Sequence, residues 1–319
     1  MTLHKLMTHA VLMPSGNFIY KFKKELDYKI IIVDECSMAP KYFVDKLLAF
    51  DNIYVLFCGD PFQIPPIDKD EDNHLLDKPH VFLDEIMRQS AESGIIRLSM
   101  LVRNHKDYSD FKADDVRILN KKELTTGVLN WGDINICSTN NTRRYVNQTL
   151  RALRDFPQDT VVPEDKLVCL KNYWDIQSID GNALTNGTIG YVDNIRDSVI
   201  TFPRSLSNAT KVPIYYVNFK SETGHEFNNL ELDQKNLLTG EFSIDALSRY
   251  KLLKSKKYNQ FIPLEFDFGY AITGHRSQGS QWNKVCVIEE SFPFSREEHA
   301  RWLYTTITRA IDKLILVQK

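Results

Sequence analysis

Two adjacent carboxylates, Asp34 and Glu35, directly follow the apolar run Ile30–Val33. Four β-branched residues in a row predict a strand that is buried on both faces. In an open parallel sheet, ligands bind at the carboxyl ends of the strands, where this acidic pair falls. Two carboxylates there can hold Mg²⁺ and orient a water molecule, as nucleotide hydrolysis requires. A solvated strand end is the alternative interpretation of the pair taken alone.

A loop amide is expected beside this pair. The second apolar run, Tyr54–Cys58, ends in the loop Gly59–Pro66, which contains Gln63, and an amphipathic pattern over about 40–50 predicts a helix between the runs. Strand, helix and strand form a parallel βαβ unit, which brings the second loop to the same edge as the acidic pair. An amide there suits a contact with a γ-phosphate or a water molecule, and a solvated loop side chain is the alternative.

Two further stretches suit phosphate binding. Thr139–Thr142 is a cluster of capping residues at the start of a predicted helix that carries Arg143 and Arg144. Helix N-termini flanked by arginines bind phosphates well, although an ordinary capped helix is the alternative. Phe268–Trp282 is dense in Gly, Ser, Thr and His, which lets the backbone approach a sugar-phosphate chain closely.

The segment 166–259 differs in texture from the rest of the chain. Its short alternating runs predict a small antiparallel β module, with a helical stretch near 243–257. Residues 188–192 and 199–202 are predicted as separate strands, and Asn228-Asn229 as a turn. Because the alternating helix and strand pattern resumes immediately afterwards, the module is interpreted as an insertion.

Composition limits the classes of protein that fit. With 319 residues, 43% of them hydrophobic, the chain can bury a sizeable core and is expected to form two or more domains. A formal net charge of -2 argues against a uniformly basic nucleic-acid binder but permits a local basic groove. Five scattered cysteines without CxxC spacing and no apolar run of membrane-spanning length favour a cytoplasmic protein without a membrane partner, in the host cytoplasm if the source is viral.

Five motifs occur in the order found in superfamily 1 helicases. They are Asp34-Glu35, Gly59–Gln63, Met87–Gln89, Gly274–Gly279 and Leu303–Ala310. The series resembles the RecD-like and Dda-like branch most, whose members translocate 5′ to 3′, and the resemblance extends over nearly the whole chain.

The resemblance implies an α/β fold with RecA-like P-loop NTPase motor domains, the first one incomplete, and an inserted small antiparallel SH3-like β module. The implied boundaries are 1–80 for the C-terminal part of motor domain 1A, 81–165 for the first part of 2A, 166–259 for the SH3-like module (2B) and 260–319 for the rest of 2A.

The resemblance also implies residue roles in an ATP-dependent DNA helicase with ATP and Mg²⁺ as its cofactors. Asp34 would hold Mg²⁺ through water, Glu35 would be the general base, and Gln63 would sense the γ-phosphate. Arg88 and Arg309 would stabilise charge on the transferred phosphoryl group. Further nucleotide contacts are implied at Gly59, Asp60 and Gly279. Contacts with single-stranded DNA are implied at Thr2, His4, Asn140, Asn141, Arg143, Lys171, Asn172, His275, Ser277 and Gln278.

The sequence departs from the family in one respect, because it contains no GxxxxGK[ST] Walker A pattern. A P-loop supplies most ground-state phosphate contacts, so tight ATP binding by this polypeptide alone is not expected. An N-terminal polypeptide carrying Walker A is therefore an expected partner, beside single-stranded DNA and duplex junctions. The chain would be half of a split helicase, or else a truncated product or a partial gene model. A non-catalytic remnant that binds single-stranded nucleic acid is the alternative, which would have no use for the intact catalytic residues.

Overall fold

The computed structural model describes residues 3–12, 18–65, 73–83, 93–255, 257–290 and 295–319. Of these, the residues up to Lys121 and from Gln278 onward form one compact unit, and those between Lys122 and Ser277 form a second. Within the described ranges, no helix is both long and apolar enough to cross a membrane.

The secondary structure alternates between helices and strands in the first unit and is richer in strands in the second. The described helices are α1 Leu3–Met7, α2 Lys41–Leu48, α3 Gly94–Arg103, α4 Thr126–Leu129, α5 Asn140–Leu153, α6 Gln234–Thr239, α7 Ala246–Leu253, α8 Gly274–Ser277 and α9 Arg296–Ile307. The described strands are β1 Thr8–Leu12, β2 Phe18–Phe22, β3 Ile30–Val33, β4 Tyr54–Phe57, β5 Val116–Asn120, β6 Ile134–Cys137, β7 Lys166–Cys169, β8 Tyr173–Gln177, β9 Ala183–Leu184, β10 Ile189–Thr201, β11 Lys211–Ser221, β12 Glu226–Asp233, β13 Phe266–Phe268, β14 Ala271–Thr273, β15 Trp282–Ile288 and β16 Ala310–Gln318.

The first unit contains two sets of parallel strands. β3 pairs with β4 in the register Ile30↔Tyr54, and α2 connects them, which confirms the predicted βαβ unit. β15, β16 and β5 form parallel pairs in that order. Helix α9 packs against α3, and Ser295 caps its N-terminus in a capping box with Glu298. The unit is thus an α/β assembly whose strand ends carry the predicted motifs.

The β3–β4 pair is covered on one face only by the described residues. Ile31 and Val33 are buried in a cluster with Leu47, whereas Ile30 and Ile32 are 67% and 66% exposed. The prediction that this strand is buried on both faces is therefore wrong. An unbroken apolar run specifies a strand, but what covers its second face depends on the rest of the fold.

The second unit combines a parallel pair with an antiparallel sheet. β6 pairs with β14 in parallel, and α5 packs on both strands. The antiparallel sheet has the strand order β12-β11-β10-β7-β13. Helix α7 packs on this sheet through Leu252, which lies in a core cluster with Phe202 and Val212. The predicted antiparallel module is confirmed as a β structure, and its SH3-like character stays a prediction.

Two local predictions in this module are wrong. Residues 188–192 and 199–202 were predicted as separate strands, yet β10 runs unbroken over Ile189–Thr201. A bulge between Val192 and Asn194 keeps the polar middle of β10 in the ladder with β11. Asn228-Asn229 lies inside β12, where Asn229 adopts a φ of 55°, and the turn before β12 instead uses Gly224 with a φ of 89°.

Candidate active site

The acidic pair leaves the sheet at the carboxyl end of β3. The ladder continues past the last strand residues, because the Cys58 N–H donates to Val33 O at 2.8 Å and the Cys36 N–H donates to Cys58 O at 2.9 Å. These bonds hold Asp34 and Glu35 beside the loop that follows β4. Asp34 is exposed and Glu35 is half-buried, so the two carboxylates occupy different environments.

Glu35 has a strained backbone conformation. Its φ of 51° and ψ of 41° lie in the left-handed region, and Asp34 Oδ1 accepts its N–H at 2.9 Å. The residue that follows, Cys36, is closely packed against Gly59. A Cβ at Gly59 would lie 3.0 Å from Cys36 Sγ and 3.2 Å from the Cys36 backbone N. Strain of about 1–3 kcal/mol persists only where the surroundings hold it, and it is concentrated at functional sites.

The loop that carries Gln63 is held at both ends. Asp60 Oδ1 accepts the Phe62 N–H at 2.9 Å, and the Gln63 N–H donates to Asp60 O at 3.2 Å. Ile64 donates its N–H to Thr305 Oγ1 at 3.0 Å. Gln63 itself is only 9% exposed. The loop is therefore built to fix the position of this amide.

Arg309 lies just past the C-terminal end of α9 and is 6% exposed. Its Nε donates to Thr305 O at 3.0 Å, its Nη1 to Ser280 O at 3.3 Å and its Nη2 to Thr308 Oγ1 at 3.2 Å. Two backbone carbonyls, of which one belongs to α9, and the Thr308 hydroxyl therefore fix the guanidinium. Gly279, the last of the predicted nucleotide contacts, precedes Ser280 and adopts a φ of 74°.

Glu35 and Arg309 interact electrostatically. Burial raises the pKa of Glu35, Arg309 opposes that shift, and the charges of Asp34 and Asp60 add to it. Burial likewise lowers the pKa of Arg309, and Glu35 is the largest of the groups that oppose this change. A carboxylate with a raised pKa is a better proton acceptor, and the guanidinium places a positive charge where phosphoryl transfer develops a negative one.

Four buried polar atoms in this region have no hydrogen-bond partner among the described residues. They are Glu35 Oε2, Ser37 Oγ, Gln63 Oε1 and Gln278 Oε1. Orphaned buried oxygens are costly unless a ligand or water satisfies them, so they fit a site that receives a polar substrate. No group of three or more His, Cys, Asp or Glu side chains within the described ranges could hold a metal ion. Mg²⁺ at nucleotide sites commonly binds one or two carboxylates together with substrate phosphates. The exposed side chain of Asp34 provides one such carboxylate.

Several predicted residues lie outside what the structure describes. Arg88 and Thr2 are not among the described residues, and for His4 only its position in α1 is described. Their assigned roles therefore stay predictions.

Arg143 is buried rather than open to a ligand. It is 4% exposed and forms an ion pair with Asp267, and its Nε donates to Asn140 Oδ1 at 3.2 Å. Arg276 lies 3.9 Å from the same carboxylate. Burial and the charge of Arg143 lower the pKa of Arg276. Asn141, in contrast, is exposed at the start of α5 and is free to contact a nucleic acid.

The predicted DNA contacts at and after α8 are largely engaged inside the protein. Ser277 is fully buried and its Oγ donates to Gly274 O at 2.7 Å. Gln278 Nε2 donates to Ile64 O at 3.0 Å. Burial lowers the pKa of His275, which favours the neutral imidazole.

The remaining predicted DNA contacts lie at the start of the β module. Lys171 forms an ion pair with Glu265, and its side chain is 52% exposed. Asn172 Oδ1 accepts the Asn186 N–H at 3.1 Å. Lys171 therefore keeps an accessible cationic side chain, whereas Asn172 stabilises the turn before β10.

Sequence reasoning missed the residues that join the loop to α9. Tyr304 donates its O–H to Asp60 Oδ2 at 2.7 Å, and its ring meets Phe62 edge to face at a centroid distance of 6.4 Å. Burial, followed by the charge of Asp60, raises the pKa of Tyr304 well above its ordinary value. Tyr304 belongs to a recognised motif, but nothing in its spacing indicates which acid its hydroxyl contacts.

Two family models match parts of this chain, and two proteins resemble it in sequence. Residues 7–95 match the viral superfamily 1 RNA helicase core domain, and residues 268–317 match the UvrD-like helicase C-terminal domain. An uncharacterized protein of Acanthamoeba polyphaga mimivirus is 23% identical over 98% of this chain and 81% of its own length. The ATP-dependent RecD2 DNA helicase of Deinococcus radiodurans is 24% identical over 98% of this chain, which spans 39% of that helicase.

Solved helicase structures share the fold. A Pif1 helicase from Bacteroides, in complex with ADP-AlF3 and ssDNA, superposes with a TM-score of 0.56 at 17% identity, covering 99% of this chain and 78% of its own. Pif1 helicase from Candida albicans gives a TM-score of 0.54 at 18% identity, covering 91% and 71%. The mixed α/β fold with parallel strands is that of these RecA-like proteins.

Proposed function

Since the chain carries superfamily 1 helicase domains related to the Pif1 and RecD2 proteins, we propose that it is the motor portion of an ATP-driven DNA helicase that moves 5′ to 3′. The observation that carries this proposal is that Glu35 and the buried Arg309 lie in one compact unit, near enough for the charge of each to shift the pKa of the other. Hydrolysis needs a base and a cation at the transferred phosphoryl group, and these two side chains supply one each.

In the proposed reaction, Glu35 accepts a proton from the water that attacks the γ-phosphorus, while the bond from that phosphorus to the leaving ADP oxygen breaks. Asp34 would hold Mg²⁺ through water, and a bound ion would supply neutralisation of charge on the phosphate oxygens. Gln63 Oε1, which has no hydrogen-bond partner among the described residues, suits acceptance of a hydrogen bond from the attacking water. Arg309 donates to the phosphoryl oxygens, and Arg88 is assigned the same role by resemblance.

The phosphate-cradling loop is proposed to come from polypeptide outside residues 1–319. Ile30 and Tyr54 are neighbours in register on the uncovered face of the β3–β4 pair, and so are Ile32 and Leu56. The exposed fractions of Tyr54 and Leu56 are 78% and 55%. Parallel sheets are normally covered on both faces, so this apolar surface supports an added segment beside the acidic pair.

Single-stranded DNA and duplex junctions are the proposed substrates. Exposed Asn140 and Asn141 at the start of α5, together with Lys171, provide polar and cationic groups for phosphates. The assignments of residues 81–165 and 260–319 to motor domain 2A and of 166–259 to an SH3-like module belong to the same proposal.

The test measures DNA-stimulated ATP hydrolysis by the chain alone and by the chain mixed with a GxxxxGK[ST]-bearing segment of a superfamily 1 helicase. We expect negligible turnover alone and restored turnover in the mixture, which Glu35→Gln abolishes while single-strand binding persists. Turnover by the chain alone would refute the need for an added loop. Turnover that Glu35→Gln leaves intact would refute the assigned base.

A second candidate is a non-catalytic module that binds single-stranded nucleic acid. It is favoured by the internal hydrogen bonds of Arg309, whose Nε, Nη1 and Nη2 all have protein acceptors, as in an arginine with a purely structural role. Single-strand binding without hydrolysis in either sample would select this candidate.

A further inference from the structure

Helix α7 presents an apolar face to solvent. Leu247, Tyr250 and Leu253 are 63%, 54% and 53% exposed, whereas Leu252 is fully buried against the antiparallel sheet. At about 3.6 residues per turn, the three exposed side chains share the side of the helix that is turned away from Leu252. This helix therefore buries one apolar side chain against the sheet and leaves three others more than half exposed among the described residues.

Basic residues surround this apolar face. Residues 246–264 contain Arg249, Lys251, Lys254, Lys256 and Lys257 and no acidic residue, in a chain whose formal net charge is -2. Among the described residues, Lys251, Lys254 and Lys257 form no ion pair. Asp245, which caps the start of α7, interacts electrostatically with Lys251. The three lysines outnumber this one carboxylate, so the local charge is positive.

The spacing of charged and apolar groups limits the chemical class of partner that this face can bind. The Lys254 ammonium lies 3.7 Å from the centroid of the Tyr250 ring, so one face of this ring is already covered. Leu247 and Leu253 have no π-face on which a base could stack, whereas stacking platforms for single-stranded nucleic acid are aromatic. Aliphatic anchors at helical spacing between lysines instead match the apolar face and acidic flanks of an amphipathic helix.

We propose that the outer face of α7, formed by Leu247, Tyr250, Lys251, Leu253 and Lys254, is a docking surface for an acidic amphipathic peptide segment of another protein. Leucines of that segment would cover the apolar side chains, and its carboxylates would pair with the two lysines. This surface is independent of the proposed hydrolysis, because it belongs to the second compact unit and contains none of the residues assigned to the ATP site.

The test uses the full chain and a fluorescent synthetic peptide of about 15 residues, with leucines at i, i+3, i+4 and i+7 and glutamates elsewhere. A scrambled peptide of the same composition and a fluorescent oligo-dT serve as comparison probes. We expect saturable binding of the patterned peptide that Leu247→Ser/Leu253→Ser and Lys251→Glu/Lys254→Glu each weaken at least about tenfold. Ile179→Ser, which changes a 72% exposed residue of the same unit, should leave binding unchanged.

Three outcomes would overturn the proposal. They are the absence of saturable peptide binding, equal binding of the scrambled peptide, and oligo-dT binding that depends on Lys251 and Lys254 while the peptide does not compete. The last outcome would assign the surface to nucleic acid. A far-UV circular dichroism melt that matches the wild-type chain verifies that each double variant folds normally.

Discussion

Tyr304 donates its phenolic hydrogen to Oδ2 of Asp60 at 2.7 Å, and this bond joins the helix that precedes Arg309 to the loop that carries Gln63. Ile64 of the same loop is held through both its N–H and its carbonyl oxygen. The amide and the guanidinium assigned to the phosphoryl group are thus positioned by one hydrogen-bonded assembly.

Tyr304→Phe should lower the free energy of unfolding by about 1–2 kcal/mol, because a hydrogen bond to a charged group is lost while the ring stays. Urea unfolding measures this change. Tyr145→Phe, at a 64% exposed position, should have no comparable effect.

Because the Tyr304 pKa is raised in the folded state, the contribution of this hydroxyl to stability is present below about pH 10 and declines above it. An equal difference between wild type and Tyr304→Phe at pH 8 and pH 11 would contradict the assignment.

Glu35→Gly should be more stable than Glu35→Ala by about 1 kcal/mol. The φ of 51° at this position penalises any residue with a Cβ, and that penalty exceeds the entropic cost of glycine. Chemical denaturation of the two variants gives the comparison. At Ile31, in ordinary strand geometry, the order should reverse, and glycine less stable than alanine at position 35 would refute the strain.

Much of the fold followed from local pattern, and the exceptions have physical causes. The β3–α2–β4 unit could be predicted because apolar runs and an amphipathic helix leave one arrangement for a parallel pair. The exposure of Ile30 and Ile32 could not, because burial depends on what else packs on the sheet. The unbroken β10 could not either, since a bulge at Val192 carries a polar stretch through a strand.

The candidate site was partly predictable for the same reason. Parallel pairing brings the acidic pair and the Gln63 loop to one edge, so spacing along the chain was informative. The burial of Arg143 was not predictable, because its partner Asp267 is distant in sequence and only the folded unit brings the two together. An arginine near a helix start has the same sequence pattern whether it binds phosphate or a buried carboxylate.

Arg143→Met should lower the free energy of unfolding by about 3 kcal/mol, because it leaves the Asp267 carboxylate without its buried partner. Arg144→Met, one position along α5 and exposed, should change stability little and weaken single-strand binding instead. Equilibrium unfolding and fluorescence anisotropy measure the two effects. A stable Arg143→Met chain with a specific loss of DNA affinity would instead support Arg143 as a DNA contact.

The pH dependence of hydrolysis should report on Glu35. Its pKa is raised by burial, so the acidic limb of the rate profile should lie above the ordinary range for a glutamate, and activity should rise as Glu35 loses its proton. Arg309 lowers that pKa, so Arg309→Gln should move the acidic limb of the rate profile to a still higher pH. Rate profiles measured between about pH 4 and pH 8 test both statements, and a limb at the value of an exposed glutamate would contradict them.

The pairing of Glu35 with Arg309 is tested most directly by single-turnover ATP hydrolysis of Arg309→Ala in the complemented chain, with single-strand affinity measured in parallel. If Arg309 stabilises the transferred phosphoryl group, its replacement by alanine should lower the hydrolysis rate about 10³-fold or more and leave DNA affinity within about twofold of the wild-type value. Arg309→Lys keeps the charge but not the fork of donors, so its hydrolysis rate should lie between those of the wild-type chain and Arg309→Ala. Equal losses of rate and affinity in Arg309→Ala would contradict the account.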